Sequence, residues 1–223
     1  MTGKVCEIFE SIQGEGLYQG ERHIFVRLGK CNLDCVFCDT DFSRTKDMTI
    51  DEVLIEIKKY KDIEVVSVTG GEPLVQIDFF RLLAAGIKKS GKKVYLETNG
   101  TLYREITLVL EVIDIISMDF KLPSVSKNRA LWFEHSEFLK AAYSAGKDVF
   151  VKIVVGVNAE DNDILRAVDI IGGICKEIKV IIQPEHPYEA ELKSRMVQIS
   201  RMFNEAGIDV TIKEQLHKKL GVR

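Results

Sequence analysis

Residues 64–100 read EVVSVTGGEPLVQIDFFRLLAAGIKKSGKKVYLETNG. The stretch opens on an apolar run, Glu64–Val68, and turns through Gly70-Gly71-Glu72-Pro73. It then takes helical periodicity over Ile77–Lys89 and returns to a strand pattern at Lys93–Glu97. A strand, a crossover helix and a second strand make one right-handed βαβ unit with parallel strands. The same alternation continues on both sides. Upstream, Arg22–Gly29 alternates, with Ile24, Val26 and Leu28 on one face. Thr49–Tyr60 reads as a helix opened by a Thr49/Glu52 capping box, with Val53, Leu54 and Ile57 as its apolar stripe. Downstream, strands are expected at Ile113–Met118, Val149–Val155, Ile178–Ile182 and Ile208–Ile212. Helices are expected at Glu105–Glu111, Phe133–Ala145, Asp163–Ile171 and Glu191–Ala206. The near-continuous apolar runs VVSV, IIS and VIIQ suit strands covered on both faces. Six or seven such units fall short of an eight-fold barrel of roughly 250 residues. The expectation is an α/β fold with mostly parallel strands in a partial, open barrel. It forms one domain over residues 1–223, because no Pro/Gly/Ser-rich linker divides the chain.

The composition, 46% hydrophobic and 29% charged, suits a globular core rather than a disordered chain. Basic and acidic residues, 31 and 34, are interspersed to a net charge of −3, so no nucleic-acid partner is expected. MTGKVCEIFESIQ has no apolar leader core, and Lys152 breaks the apolar run Val149–Val155. A cytoplasmic protein with no membrane partner is expected. Of five cysteines, Cys31, Cys35 and Cys38 crowd into eight positions, while Cys6 and Cys175 stand apart. That pattern points to a reducing compartment and a metal site rather than a disulfide framework. Cys6 and Cys175 read as packed apolar thiols.

In parallel α/β folds, reactive groups gather at the carboxyl ends of the strands. The unusual residues of this chain fall there: Cys31–Cys38, Gly70–Pro73, Glu97–Gly100, Asp119–Lys121 and Gln183-Pro184 each follow an expected strand. Three thiolates at spacings of four and three can wrap one face of an iron–sulfur cubane. A closed zinc site normally needs a fourth ligand. His23 lies on the preceding strand, Asp39 and Asp41 are weak candidates, and no CxxC follows downstream.

The CxxxCxxC spacing, with Phe37 before the last cysteine and with Gly70-Gly71-Glu72-Pro73, resembles the radical S-adenosylmethionine (SAM) superfamily. The resemblance implies a [4Fe–4S] cluster on Cys31, Cys35 and Cys38 whose open iron chelates SAM. It implies further SAM contacts at Phe37, Asp39, Gly70, Gly71, Glu72, Ser117, Asp119, Lys121 and Gln183. Glu10-Ser-Ile-Gln-Gly-Glu-Gly16, Arg27, Cys38-Asp39-Thr40, LETNGT, SMDFKLPS and VIIQPEHP are similar to the 7-carboxy-7-deazaguanine synthase family. That similarity covers most of the chain. It implies conversion of 6-carboxy-5,6,7,8-tetrahydropterin to 7-carboxy-7-deazaguanine with loss of ammonia. In that reaction reductive SAM cleavage gives a radical that takes hydrogen from C6 of the pterin and later returns it. The substrate contacts implied are Ile12, Gln13, Gly14, Glu15, Arg27 and Thr69, with Thr40 holding Mg²⁺. The implied partners are a reductant such as flavodoxin or ferredoxin and a second copy of the chain in a homodimer.

Physical chemistry supports these residue types. Arg27 offers a planar fork for a carboxylate, and Gln13 and Glu15 can read an aminopyrimidinone edge. Thr40 carries a hard oxygen of the kind Mg²⁺ accepts. His135, His186 and His217 lack ligand-like spacing, and His186 suits a pocket or a plain loop equally. The basic tail QLHKKLGVR resembles relatives' tails that fold back towards the active site. Two alternatives stay open: a small activase that installs a glycyl radical on a partner protein, and a non-enzymatic iron–sulfur or zinc module.

Overall fold

The computed structural model describes all residues except Asp39, Ser43 and Arg223. In chain order the elements are β1 (Thr2–Ile12), β2 (Arg22–Leu28), β3 (Lys46–Thr49), α1 (Ile50–Ile57), β4 (Val65–Gly70), α2 (Ile77–Lys89) and β5 (Lys93–Thr98). They continue with α3 (Tyr103–Ile106), β6 (Ile115–Asp119), α4 (Pro123–Ser126), α5 (Trp132–Ser144), β7 (Asp148–Val155) and α6 (Asp161–Ile174). The last are β8 (Val180–Pro184), α7 (Glu189–Glu205), β9 (Val210–Ile212) and α8 (Leu216–Leu220). The strands form one sheet in the order β3-β1-β2-β4-β5-β6-β7-β8-β9. From β2 to β9 every pairing is parallel, while β1 runs antiparallel to both β2 and β3. The mostly parallel α/β expectation holds, and the sheet's edges are β3 and β9.

The expected βαβ unit is β4–α2–β5. Helix α2 buries Phe79, Phe80, Leu83, Ala84 and Ile87 on one stripe. Each large side chain of that kind contributes about 1.5–3 kcal/mol when fully buried. The Thr49/Glu52 box opens α1: Glu52 N donates to Thr49 Oγ1 at 3.3 Å, and Thr49 N donates to Glu52 Oε2 at 2.7 Å. Two strands were not expected. In β1 the alternation breaks at a register shift between Val5 and Glu7. β3 is a polar edge strand, KDMT, with no apolar pattern to read. The helix expected over Glu105–Glu111 is instead short α3 followed by a 3₁₀ turn at Leu110–Val112. β-Branched Thr107 and Val109 disfavour a continuous helix there. Val109 is fully buried in an extended-φ conformation.

Side chains two apart share a face of a strand, and this period builds two layers on the face opposite the helices. The lower layer is apolar: Tyr95, Ile115, Phe150 and Ile181 form a cluster, with Leu17 and Tyr18 packed on it. Further towards the carboxyl ends, on the same face, stand Arg27, Thr69, Glu97, Ser117, Asp119, Lys152 and Gln183. The register aligns them, pairing Arg27 with Thr69, Glu97 with Ser117 and Asp119 with Lys152. No helix among the described residues is long and apolar enough to cross a membrane.

Candidate active site

The polar layer floors a cavity of about 900 Å³. Cys31, Cys35 and Cys38 line one side, and Ile12, Gln13, Gly14 and Glu15 the other. Phe37, Thr40, Arg27, Thr69, Gly70, Gly71, Ser117, Asp119, Lys121 and Gln183 also reach it. The chain therefore brings nearly all of the expected residues to one space. Asp39 lies outside the described residues.

The cysteine loop is held by backbone approach. Gly71 N donates to Leu28 O at 3.2 Å and Glu72 N to Lys30 O at 2.9 Å. A Cβ at Gly70 (φ +136°) would lie 2.0 Å from Leu28 O, and one at Gly71 would lie 2.1 Å from Lys30 O. The glycine pair thus lets the end of β4 press against the loop that carries Cys31. Amide donors back the sulfurs: Asn128 Nδ2 reaches Cys35 Sγ at 3.1 Å, and Leu33 N reaches Cys31 Sγ at 3.4 Å. Asn99 Nδ2 lies 3.9 Å from the Cys31 sulfur and donates to Asn32 Oδ1 at 2.8 Å. Burial pushes the Cys31 and Cys35 thiols up, opposed at Cys35 by the Lys121 charge. Lys121 Nζ also sits 5.0 Å from the centre of the Phe37 ring.

All three cysteines are free thiols. Among the described residues, no group of three or more His, Cys, Asp or Glu converges as a single ion requires. Three thiolates spread along one wall, with N–H donors behind them, fit a cluster that shares its ligands among separate irons. The polar floor also offers acceptors to a ligand. Asp119 Oδ1 and Gln183 Oε1 are buried acceptors with no hydrogen-bond partner among the described residues, and such groups are normally satisfied.

Glu72 is placed differently from the glycines of its motif. It was expected to touch the cofactor, but it is fully buried and does not line the cavity. Its carboxylate accepts from Leu74 N at 3.1 Å, Asn99 N at 2.7 Å and Thr98 Oγ1 at 2.9 Å. It therefore ties the start of the turn after β4 to the Thr98–Asn99 corner that holds Asn32. Burial lifts its pKa to about 7, opposed by those three donors. Glu72→Gln turns an acceptor into a donor facing donors, so the loss of stability should be about 1–3 kcal/mol. Denaturant unfolding of the purified variant measures it, and an unchanged midpoint would remove Glu72 from this role. Cys6 also differs from expectation. It lines the cavity beside Arg27 and Glu7, whereas Cys175 is half-buried against the core.

On the wall opposite the cysteines, Glu97 accepts from Gln13 Nε2 at 2.8 Å and from Thr69 Oγ1 at 2.6 Å. Arg27 Nε donates to Glu7 Oε1 at 2.9 Å, and its guanidinium lies 5.8 Å from the centre of the Phe9 ring. The C-terminal segment closes over this wall. Leu216 N donates to Gly14 O at 2.9 Å, Gln19 Nε2 to Glu214 O at 2.6 Å and Gln215 Nε2 to Glu15 Oε1 at 2.5 Å. A Cβ on Gly14 would fall 2.1 Å from His217 Nδ1, so a side chain here would push His217 of the tail aside. His186 reaches the cavity and bonds Glu189 Oε1 through Nδ1 at 2.8 Å.

Residues 26–171 match the profile of the radical SAM superfamily. The chain is 36% identical over 202 residues to the 7-carboxy-7-deazaguanine synthase of Geobacter sulfurreducens, covering 80% of each chain. With the synthase of Methanothermobacter thermautotrophicus it shares 32% identity, over 100% of this chain and 99% of the relative. The chain belongs to the 7-carboxy-7-deazaguanine synthase family. Its fold is that of the Escherichia coli QueE crystal structure, with a TM-score of 0.67 at 18% identity, over 95% of this chain and 94% of that one. Membership makes the chain a radical SAM enzyme, which brings with it a [4Fe–4S] cluster and SAM. Within this family member, several wall residues have no contact assigned from the sequence, although Glu97 falls in a strand-end turn named above and Gln215 and His217 in the tail expected to fold back. Glu97, Lys152, Gln215 and His217 line the cavity. Their position at strand ends was a usable signal for Glu97, whereas Lys152 stood out only as a charge inside an apolar run.

Proposed function

We propose that the cavity binds 6-carboxy-5,6,7,8-tetrahydropterin and converts it to 7-carboxy-7-deazaguanine and ammonia, on the route to 7-deazapurine nucleosides such as queuosine and archaeosine. The observation that carries this reading is the Gln13–Glu97–Thr69 unit in the same cavity as the three thiols. A carboxylate has about four lone-pair positions. Glu97 therefore keeps acceptor capacity for the N–H edge of a pterin while it orients Gln13 and Thr69. Glu15 presents a second carboxylate from the loop above. Arg27 has its Nε–H engaged by Glu7, and the other four N–H groups of the fork suit the pterin carboxylate.

In the same reading, Cys31, Cys35 and Cys38 hold the cluster, and SAM lies along Phe37, Gly70, Gly71, Ser117, Asp119, Lys121 and Gln183. The unpartnered Asp119 Oδ1 and Gln183 Oε1 would accept from its ammonium or hydroxyl groups. When bound and reduced by a donor such as flavodoxin or ferredoxin, the cluster with SAM supplies the radical chemistry that removes and returns one hydrogen atom. The chain itself fixes the pterin plane, neutralises its carboxylate and keeps water off the reacting carbon. The test is anaerobic incubation of reconstituted protein with SAM, reductant, Mg²⁺ and the carboxylated pterin. 7-Carboxy-7-deazaguanine and ammonia are expected in equal amounts. No product from protein with an intact cluster would sink the reading and favour the activase.

Thr40 is assigned to Mg²⁺ at the same substrate carboxylate. Thr40→Val keeps the shape and removes the oxygen, so the stimulation of turnover by Mg²⁺ should fall while SAM binding stays unchanged. A Mg²⁺ titration of initial rates decides it, with an unaltered curve counting against the assignment. The homodimer belongs to this proposal as well. Light scattering at micromolar concentration should give about twice 25.2 kDa, and a 25.2 kDa species alone would reject it.

A further inference from the structure

Lys152 sits where the two walls of the cavity meet. Its neighbours Val151 and Ile153 are buried in the helix-side core, and period two turns Lys152 to the inner face above Phe150. The ammonium pairs with a Glu15 carboxylate oxygen in the loop after β1 and lies 3.3 Å from Asp119 Oδ2 on β6. Lys121 Nζ holds the same Asp119 oxygen at 2.8 Å. A chain Lys121–Asp119–Lys152–Glu15–Gln215 therefore runs from the strand assigned to SAM to the loop assigned to the pterin. The Lys152 side chain is 13% exposed. In a central parallel strand, burying such charges gives little or no net stability compared with an apolar residue. The reason for a lysine here lies in what it holds.

We propose that Lys152 is a positioning residue that keeps Glu15 an ionised acceptor aimed into the cavity for the N–H edge of the substrate. This rests on the pterin reading given above. The two carboxylates depend on Lys152 unequally, because Asp119 retains Lys121 when Lys152 is removed. Around the pair stand Asp119, Lys121, Glu97, the Tyr95 hydroxyl, Gln215 and His217. Burial alone would raise the pKa of Glu15. The Lys152 charge and hydrogen bond, helped by Gln215 and His217, bring it down to about 2. With Lys152 present, Glu15 is charged throughout the neutral range. Without it, burial acts unopposed by the lysine, and Glu15 takes up a proton as the pH falls. A protonated carboxyl is a poorer acceptor, so pterin affinity should become pH-dependent, weak in acid and restored in base.

The experiment is calorimetric titration of 6-carboxypterin into anaerobically reconstituted, SAM-loaded protein at about pH 6 and about pH 8.5. Wild type, Lys152→Met, Lys152→Gln and Lys152→Arg are compared. His217 is present in all four, so the readout is the difference from wild type. Relative to wild type, Lys152→Met and Lys152→Gln should lose about 10-fold or more in affinity at the lower pH and recover most of it at the higher, as a raised carboxyl pKa requires. Lys152→Arg should follow the wild-type pH profile, and SAM affinity should change little in every variant. If Lys152→Met does not fold, Lys152→Gln decides alone. A neutral variant that matches wild type at both pH values, or loses affinity equally at both, overturns the inference. Wild type that fails to bind 6-carboxypterin overturns the pterin reading instead.

Discussion

Single Cys31→Ala, Cys35→Ala and Cys38→Ala variants should each lose the visible absorption of the cluster and all SAM cleavage. The effect is all-or-none because three thiolates are the whole protein contribution to the cluster in the proposed site, and no spare cysteine stands in the same loop. Cys6 is the informative control. It lines the same cavity, so it is near enough to be suspected, yet it sits on β1 beside Arg27 rather than in the loop. Cys6→Ala should retain the iron content and SAM cleavage of wild type. Iron analysis and reductive SAM cleavage on reconstituted protein are the measurements. A cluster lost with Cys6, or kept without Cys35, would show that the ligand set has been misassigned.

Arg27→Ala should weaken binding of the carboxylated pterin by about 30-fold or more. Truncating one partner of a buried, hydrogen-bonded charge pair costs on the order of 2–5 kcal/mol, and tenfold in affinity is about 1.4 kcal/mol. The Arg27 side chain is 26% exposed, which argues for the lower end of that range. SAM affinity and cluster content should not change. Calorimetry with the pterin and with SAM separates the two. Unchanged pterin affinity would remove the carboxylate from Arg27 and revive the activase.

The fold was readable wherever a local period reports burial. Residues 64–100 carry both signals in one unit, an apolar run covered on both faces and a helix with one apolar stripe. β1 is hard to read because its register shift at Val5/Glu7 interrupts the alternation, and its second neighbour is the short polar β3. The site divides in the same way. The cysteine loop and Gly70-Gly71 are compact motifs, and both reach the cavity. Glu72 belongs to the same motif, but spacing does not report which way a side chain turns, and it turns inward to Thr98 and Asn99. Lys152 was visible only as a fault in a strand, since Glu15 lies 137 residues away. Glu97 acquires its meaning from Gln13, 84 residues earlier.

The two walls of the cavity also differ in how far along the chain their fastenings reach. The cysteine loop is tied to Asn99 and Asn128, 68 and 93 residues on, whereas the loop of Gly14–Gln19 is tied to Glu214 and Gln215, 195 and 200 residues on. Separation of that order adds little to the entropy of closure. It does mean that the tail can dock only on a sheet already assembled through β9. Opening of the tail is then a sub-global event, distinct from the unfolding of the central strands. A molecule in that state keeps the Asn99 and Asn128 contacts of the cysteine loop and has lost the roof over the wall proposed for the pterin. Brown colour and a full iron count therefore measure one half of the machine, and a preparation can pass both while blind to its substrate.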